Sequence, residues 1–200
     1  MIVREIPAAE ANHGKRRDES GIGFIVIHYT AGVKDTAAGN GKYFSKNVTK
    51  SSAHYFVDGK EVVQSVPDDV VAWHCGGKKL AHGGRLHGTC SNSNSIGVEL
   101  CNQAGNADYR PTEKTVENAI ELVGILMKKH GIPKENVIRH FDVNGKKCPA
   151  YWTDDEVWER EFLSRIRDPE LFTGIGIKDG AVYEVVDGKA VGKLDFPKNS

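Results

Sequence analysis

The sequence predicts an α/β fold with a short β-prone tail, and three observations predict it. Gly23-Phe24-Ile25-Val26-Ile27-His28 is an unbroken apolar run, the pattern of a strand covered on both faces, and it stops at a histidine. Ser95 to Cys101 alternates instead: Ile96, Val98 and Leu100 point to one face, and Gly97, Glu99 and Cys101 to the other. Thr112 to His130 carries Val116, Ala119, Ile120, Val123, Leu126 and Met127 on one helical stripe, with Lys128, Lys129 and His130 at its negative end before Gly131.

The remaining elements follow in order. Thr36 to Asn47 reads as a helix interrupted by Gly39 and Gly41, with Tyr43 and Phe44 available to pack. Ala53 to Val57 and Glu61 to Val66 flank Asp58-Gly59, a turn signature that calls for a hairpin. Cys75 to Asn94 is rich in Gly, His, Ser and Asn and reads as a long loop, which inside a compact domain usually serves function. Asn136 to His140 is a short strand that again ends on a histidine. A last helix starts at Thr153-Asp154-Asp155-Glu156, a capping box, and buries Val157, Trp158, Phe162 and Ile166. After Arg167-Asp168-Pro169 the texture changes to short β-prone pieces around Asp179-Gly180 and Asp187-Gly188, a meander too small to stand alone. The expected organisation is one domain over 1–167 and a tail over 168–200.

Composition narrows the function. Two hundred residues, 39% of them apolar, suffice for one well-buried domain. The 27 basic and 27 acidic side chains cancel, so no global field recruits nucleic acid or anionic lipid. Lys15-Arg16-Arg17-Asp18-Glu19 stands where a signal peptide needs an apolar core, and no apolar run reaches membrane-spanning length. The expectation is synthesis in the cytoplasm as a soluble chain with neither nucleic acid nor membrane as partner; the oligomeric state is left open. If Cys148 binds a metal, then Cys75, Cys90 and Cys101 allow at most one disulfide, with Cys75 and Cys90 bracketing the Gly-rich loop. A reducing compartment favours free thiols.

The candidate chemistry lies in Arg139-His140-Phe141-Asp142 and the Cys148-Pro149 that follows eight residues after the histidine. With His28, the pair His140 and Cys148 offers a metal three protein donors from distant elements and leaves a fourth position for water, the habit of catalytic zinc rather than structural zinc. Lys146 lies beside them. From spacing alone an alternative stays open: the histidines cap buried strands through hydrogen bonds and Cys148 packs as a small apolar group.

Five segments carry a family resemblance. Val26-Ile27-His28-Tyr29-Thr30, Ser52-Ala53-His54-Tyr55-Phe56-Val57, Ala72-Trp73-His74-Cys75, Asn94-Ser95-Ile96-Gly97-Val98-Glu99, and Arg139-His140-Phe141-Asp142 with Cys148-Pro149 resemble, in order, the motifs of the zinc-dependent N-acetylmuramoyl-L-alanine amidases of the amidase-2 family. That family shares its fold with T7 lysozyme and the peptidoglycan recognition proteins. The resemblance spans roughly residues 20 to 166 and is strongest to phage endolysins. It implies a central, mostly mixed sheet with helices packed on it and a zinc cleft along one edge. It implies one catalytic Zn²⁺ on His28, His140 and Cys148, with Glu99 as general base and Lys146 as catalytic lysine. Trp73, His74 and Asn94 become substrate contacts, and bacterial peptidoglycan becomes the partner, reached after holin action or lysis. T7 lysozyme has a tyrosine where this chain has Ala53, which shifts weight onto Glu99. His54 and Tyr55 read as packing residues, and His82 and His87 as surface residues or weak substrate contacts.

Two rivals come from other classes. One is a peptidoglycan-binding protein of the same fold without catalysis, against which the retention of Cys148 argues. The other is an interaction domain organised by structural zinc or by a Cys75–Cys90 disulfide.

Overall fold

Ile25, Val26 and Ile27 are fully buried on both faces of their strand, and the rest of the sheet is laid out around them. In the computed structural model, residues 3–167, 174–178, 181–186 and 189–194 are described; two compact units are formed, Met1–Ile166 and Arg167–Ser200. In the first unit β3 (Phe24–Tyr29) lies between β7 (Ser95–Leu100) and β8 (Val137–Arg139), parallel to both. β7 is followed by β4 (Tyr55–Val57), also parallel, and β4 turns antiparallel into β5 (Val62–Gln64). β1 (Val3–Glu5) runs parallel along β5, giving a six-stranded mixed sheet in the order β1-β5-β4-β7-β3-β8. A two-stranded antiparallel ribbon, β2 (His13–Arg16) with β6 (Val70–Ala72), stands beside it.

The Asp58-Gly59 hairpin forms, and the Asp58 carboxylate organises it by accepting the Lys60 and Glu61 amides at 2.7 and 3.0 Å. α1 (Ala37–Lys46) is capped by Thr36, whose hydroxyl accepts the Gly39 amide. It packs on β4 and β5 through Ala37, Ala38 and Phe44.

α2 (Glu113–His130) covers the face that presents Ile25, Ile27, Ile96, Val98 and Leu100. Thr112 caps its start, and Gly131, at φ 64°, ends it by donating its backbone N–H to the Met127 carbonyl. Leu122 belongs to the buried stripe, while Ile120 is only partly buried. At 100° per residue Leu122 lies nearer the middle of the buried arc, which is centred on Ala119. Each such aliphatic side chain is worth about 1.5–3 kcal/mol when fully buried.

Two boundaries differ from the sequence reading. His140 is not the last residue of a strand: β8 ends at Arg139, and His140 opens a short helix, α3 (His140–Asn144), so the segment leading to Cys148 is a helical turn followed by a loop. Thr153 does not cap the last helix, α4 (Asp155–Glu161). It closes the preceding 3-10 turn (Ala150–Trp152), and Asp154 is the cap, accepting the Val157 amide at 3.0 Å. Trp158, Phe162 and Ile166 are buried as expected, with Val157 partly so.

In the second unit β9 (Gly174–Lys178), β10 (Ala181–Val186) and β11 (Lys189–Leu194) form an antiparallel sheet with β10 in the centre. The two Asp-Gly turns fall outside the described residues. No helix among the described residues is long and apolar enough to cross a membrane.

Candidate metal centre

Strand alternation aims the first donor. Ile25 and Ile27 face α2, so Val26 and His28 face the other side of the sheet. Because β8 pairs with β3 in parallel, with Ile27 opposite Arg139, the next residue, His140, arrives beside His28, and the two rings stand 4.7 Å apart. α3 stops at Gly145, whose φ of 84° suits glycine and whose missing Cβ leaves room for the His82 carbonyl. The chain then returns Cys148, and its carbonyl accepts the Phe141 amide at 2.9 Å.

One donor atom from each of His28, His140 and Cys148 lies within 4.8 Å of the others, and all three residues are buried. His28 Nδ1 is 3.6 Å from Cys148 Sγ. Both ring nitrogens of His140 are enclosed and have no hydrogen-bond partner, which buried imidazoles rarely tolerate unless a ligand takes one of them. Burial, with Lys146 nearby, pushes His140 down to about 4, and burial together with the His140 and His74 rings holds His28 well below its ordinary value. Both are therefore neutral donors near pH 7. Burial, with Glu99 close by, raises the Cys148 thiol to about 12, so metal uptake must release its proton. Two imidazoles and one thiolate on separate elements fit a zinc ion with one position left open.

Glu99 sits opposite His28 in the parallel register of β3 and β7, on the same face. One of its carboxylate oxygens, Oε2, is enclosed and unpartnered, and burial raises the group to about 7 against the opposing pull of Lys146. Lys146 itself is exposed, yet its charge acts on Glu99, His28, His140 and Cys148 alike. Its amide is pinned to Asn144 Oδ1 at 3.0 Å. The neighbouring Lys147 is exposed.

The three expected substrate contacts divide. Trp73 is half-buried and lines a groove of about 400 Å³ with Cys75, His87, Cys90, Asn92 and Val143. Asn94 is not brought to the centre: its amide caps its own loop, accepting from the Ser91 amide at 2.8 Å and donating to the Thr89 carbonyl at 2.9 Å. His74 turns toward His28, with Nδ1 3.0 Å from His28 Nε2. His54 packs as expected, accepting from the Gly97 amide and donating to the Val70 carbonyl. All four cysteines are free thiols, and Cys75 and Cys90 lie against one another. A second cluster, Glu19, Asp68 and His130, is already bridged by the Lys129 ammonium, 3.2 Å from Glu19 and 2.8 Å from Asp68.

Some residues that build the site carried no sequence signal of their role. Arg139, buried, donates two parallel bonds to Asp142 and reaches the Trp152 carbonyl, tying α3 to the approach to α4. Arg17 joins three carbonyls, of Asp68, Asn92 and Ser95, and so fixes the start of β7. Arg139 is buried and Arg17 partly so, and neither state is readable from a charged residue in a loop or at a strand end.

The family described as N-acetylmuramoyl-L-alanine amidase matches residues 18–151, which contain every residue of the centre. The chain belongs to this family. Among curated amidases, CwlL of Bacillus licheniformis is 37% identical over 74% of this chain, and CwlA of Bacillus subtilis 38% over 68%. This chain spans 41% and 46% of those two proteins. Among solved structures, a mutant endolysin from Bacillus subtilis superposes with a TM-score of 0.66 at 29% identity, over 84% of this chain and all of that one. The catalytic domain of XlyA does so with 0.67 at 27%, over the same shares. The amidase fold, a mixed sheet flanked by helices, is thus the fold of the first unit.

Proposed function

We propose that the chain hydrolyses the amide between the lactyl group of N-acetylmuramic acid and the L-alanine of the stem peptide in bacterial peptidoglycan, as a zinc-dependent endolysin acting at the cell wall. One observation carries the reading. His28, His140, Cys148, Glu99 and Lys146 gather at one place, where both ring nitrogens of His140 lack partners and the Glu99 carboxyl is tuned to near neutrality.

Held by His28, His140 and Cys148, zinc supplies Lewis acidity toward a water and a carbonyl oxygen. Glu99 takes the proton of the attacking water; a carboxyl near pH 7 both accepts and returns a proton readily. The Lys146 ammonium faces the oxyanion that develops on the former carbonyl, a role in which one preorganised donor is worth about 3 kcal/mol. Glu99 then protonates the alanine nitrogen as the C–N bond breaks. Trp73 lines the groove of about 400 Å³, whose walls include none of the five residues of the centre, and we assign it to substrate contact there. We assign catalysis to residues 1–167 and a linking, wall-binding or association role to 168–200.

The test is mass spectrometry of digested peptidoglycan with the wild type and Glu99→Ala. Wild type should release stem peptides that begin at L-alanine, with glycan strands intact. Glu99→Ala should keep its zinc and lose about 10²–10⁴-fold in rate. Cleaved glycan, or near wild-type turnover by the variant, would remove this reaction or this base.

A further inference from the structure

His74 lies on a hydrogen-bond chain whose direction the structure dictates from its far end. The Ser91 carbonyl can only accept, so the Ser95 hydroxyl, 2.6 Å away, uses its single proton there. Ser95 Oγ must therefore accept from His74 Nε2, at 3.2 Å. A neutral imidazole protonated on Nε2 presents Nδ1 as an acceptor, and His74 Nδ1 sits 3.0 Å from His28 Nε2. His28 is left protonated on Nε2, with its free lone pair on Nδ1, the nitrogen that faces Cys148. Cys75 Sγ, 3.6 Å from Ser95 Oγ, can donate to the second lone pair of that oxygen without changing this order.

The surroundings hold His74 for this task. Its backbone amide, and that of Cys75, donate to Asn92 Oδ1 at 3.0 and 2.9 Å. Its ring lies against Gly97 of β7 so closely that a Cβ there would sit 2.5 Å from Cγ and 2.7 Å from Nδ1. Its ring meets the His28 ring nearly edge-on, at 87°. Ser95 is buried, which excludes water as a rival partner for the hydroxyl.

We propose that His74 is a positioning residue rather than a substrate contact: through Ser95 and Ser91 it fixes the tautomer and tilt of His28 before any metal arrives, and Gly97 is the clearance that lets it do so. The proposal rests on His28 being a metal ligand. Outer partners of this kind typically carry about 10–100-fold in metal affinity.

The experiment is a zinc titration of the full chain against a chromophoric chelator, with circular dichroism to show that each variant is folded. His74→Phe should bind zinc about 10–100-fold more weakly. His74→Asn, whose amide oxygen can take the place of Nδ1, should recover part of that loss, and Ser95→Ala should show an intermediate one. In the metal-free wild type, nitrogen NMR should find both His28 and His74 protonated on Nε2. His74→Phe binding zinc as tightly as wild type, with only KM raised, would overturn the proposal and return His74 to the substrate groove. So would a proton on His28 Nδ1. Should His74→Phe fail to fold, unchanged affinity in Ser95→Ala overturns the proposal and weakened affinity supports it. A wild type that takes up no zinc removes the metal reading itself, an outcome distinct from a variant that matches it.

Discussion

At the scale of single residues the centre is a set of groups held away from their ordinary protonation states. Cys148 needs a metal to lose its proton, because burial holds its thiol near 12. Replacing its sulfur by oxygen therefore tests whether that proton is ever displaced. Cys148→Ser should lose more than the roughly 100-fold that outer partners reach in zinc affinity, read by chelator competition, while folding stays intact in the metal-free state. Retention of full affinity would mean that another residue is the third donor. The face on which Glu99 lies was legible because the alternation of Ser95 to Cys101 has period two, while its role as base came only from the family resemblance. What the sequence could not supply was the carboxyl's surroundings: Lys146, 47 positions later in the chain, and the strand partners His28 and Phe56 act on it only through space. His74 was visible as a histidine after a tryptophan, but its partner lies 46 residues away. Sequence proximity to Trp73 suggests the groove for His74, whereas its contact in space is His28.

At the scale of elements, the segment from Arg139 to Cys148 is held from below. The Arg139 guanidinium reaches Asp142, the carbonyls of Trp152 and Asp154, and the Asp155 carboxylate, and it lies over the rings of Phe141 and Trp158. Although burial alone would raise Asp142, Arg139 holds that carboxyl below its usual range. Removing one partner of such a pair leaves a buried charge uncompensated. Arg139→Met should cost about 3–5 kcal/mol in urea unfolding, and an unchanged midpoint would show the pair to be energetically idle. β3, the hairpin strands, β7, β8 and the long helix were readable from apolar runs or periods, whereas β1, β2 and β6, three or four residues each, are too short to carry one. The turn of α3 was not readable either: five residues are too few for a helical period, and its caps, Arg139 and Asp142, stabilise each other through side chains that a propensity reading treats as solvated.

At the scale of the whole first unit, Asp68 joins parts of the chain that no periodic signal connects. Its carboxylate accepts from the Tyr55 hydroxyl at 2.7 Å, the Lys129 ammonium at 2.8 Å and His130 Nε2 at 3.0 Å, while its carbonyl takes Arg17. Burial works against ionisation here, but the bonds from Lys129, Tyr55 and His130 outweigh it and keep the folded pKa below 3.8. The stabilisation is thus present above the ordinary carboxylate value and lost as pH falls through the lower folded one. Asp68→Asn should be less stable than wild type by about 2–3 kcal/mol at neutral pH, and the gap should close in acid. Thermal melts from pH 7 to pH 3 read both, and a gap that persists in acid would assign the loss to packing instead. The basic end of α2, placed in the last turn as the sequence reading has it, also ties the helix through Asp68 to Tyr55 of β4.

The bond from the Phe141 amide to the Cys148 carbonyl closes the segment from His140 to Cys148 on itself, so the spacing of the two proposed donors is settled within one short stretch of chain. The sheet has only to bring the third. In engineering terms the segment is a graft: moved onto another parallel sheet, it would need a histidine on the adjacent strand, a buried arginine beneath it and a glycine where Gly145 turns. A graft lacking the arginine would carry the ligands without the means of keeping them together.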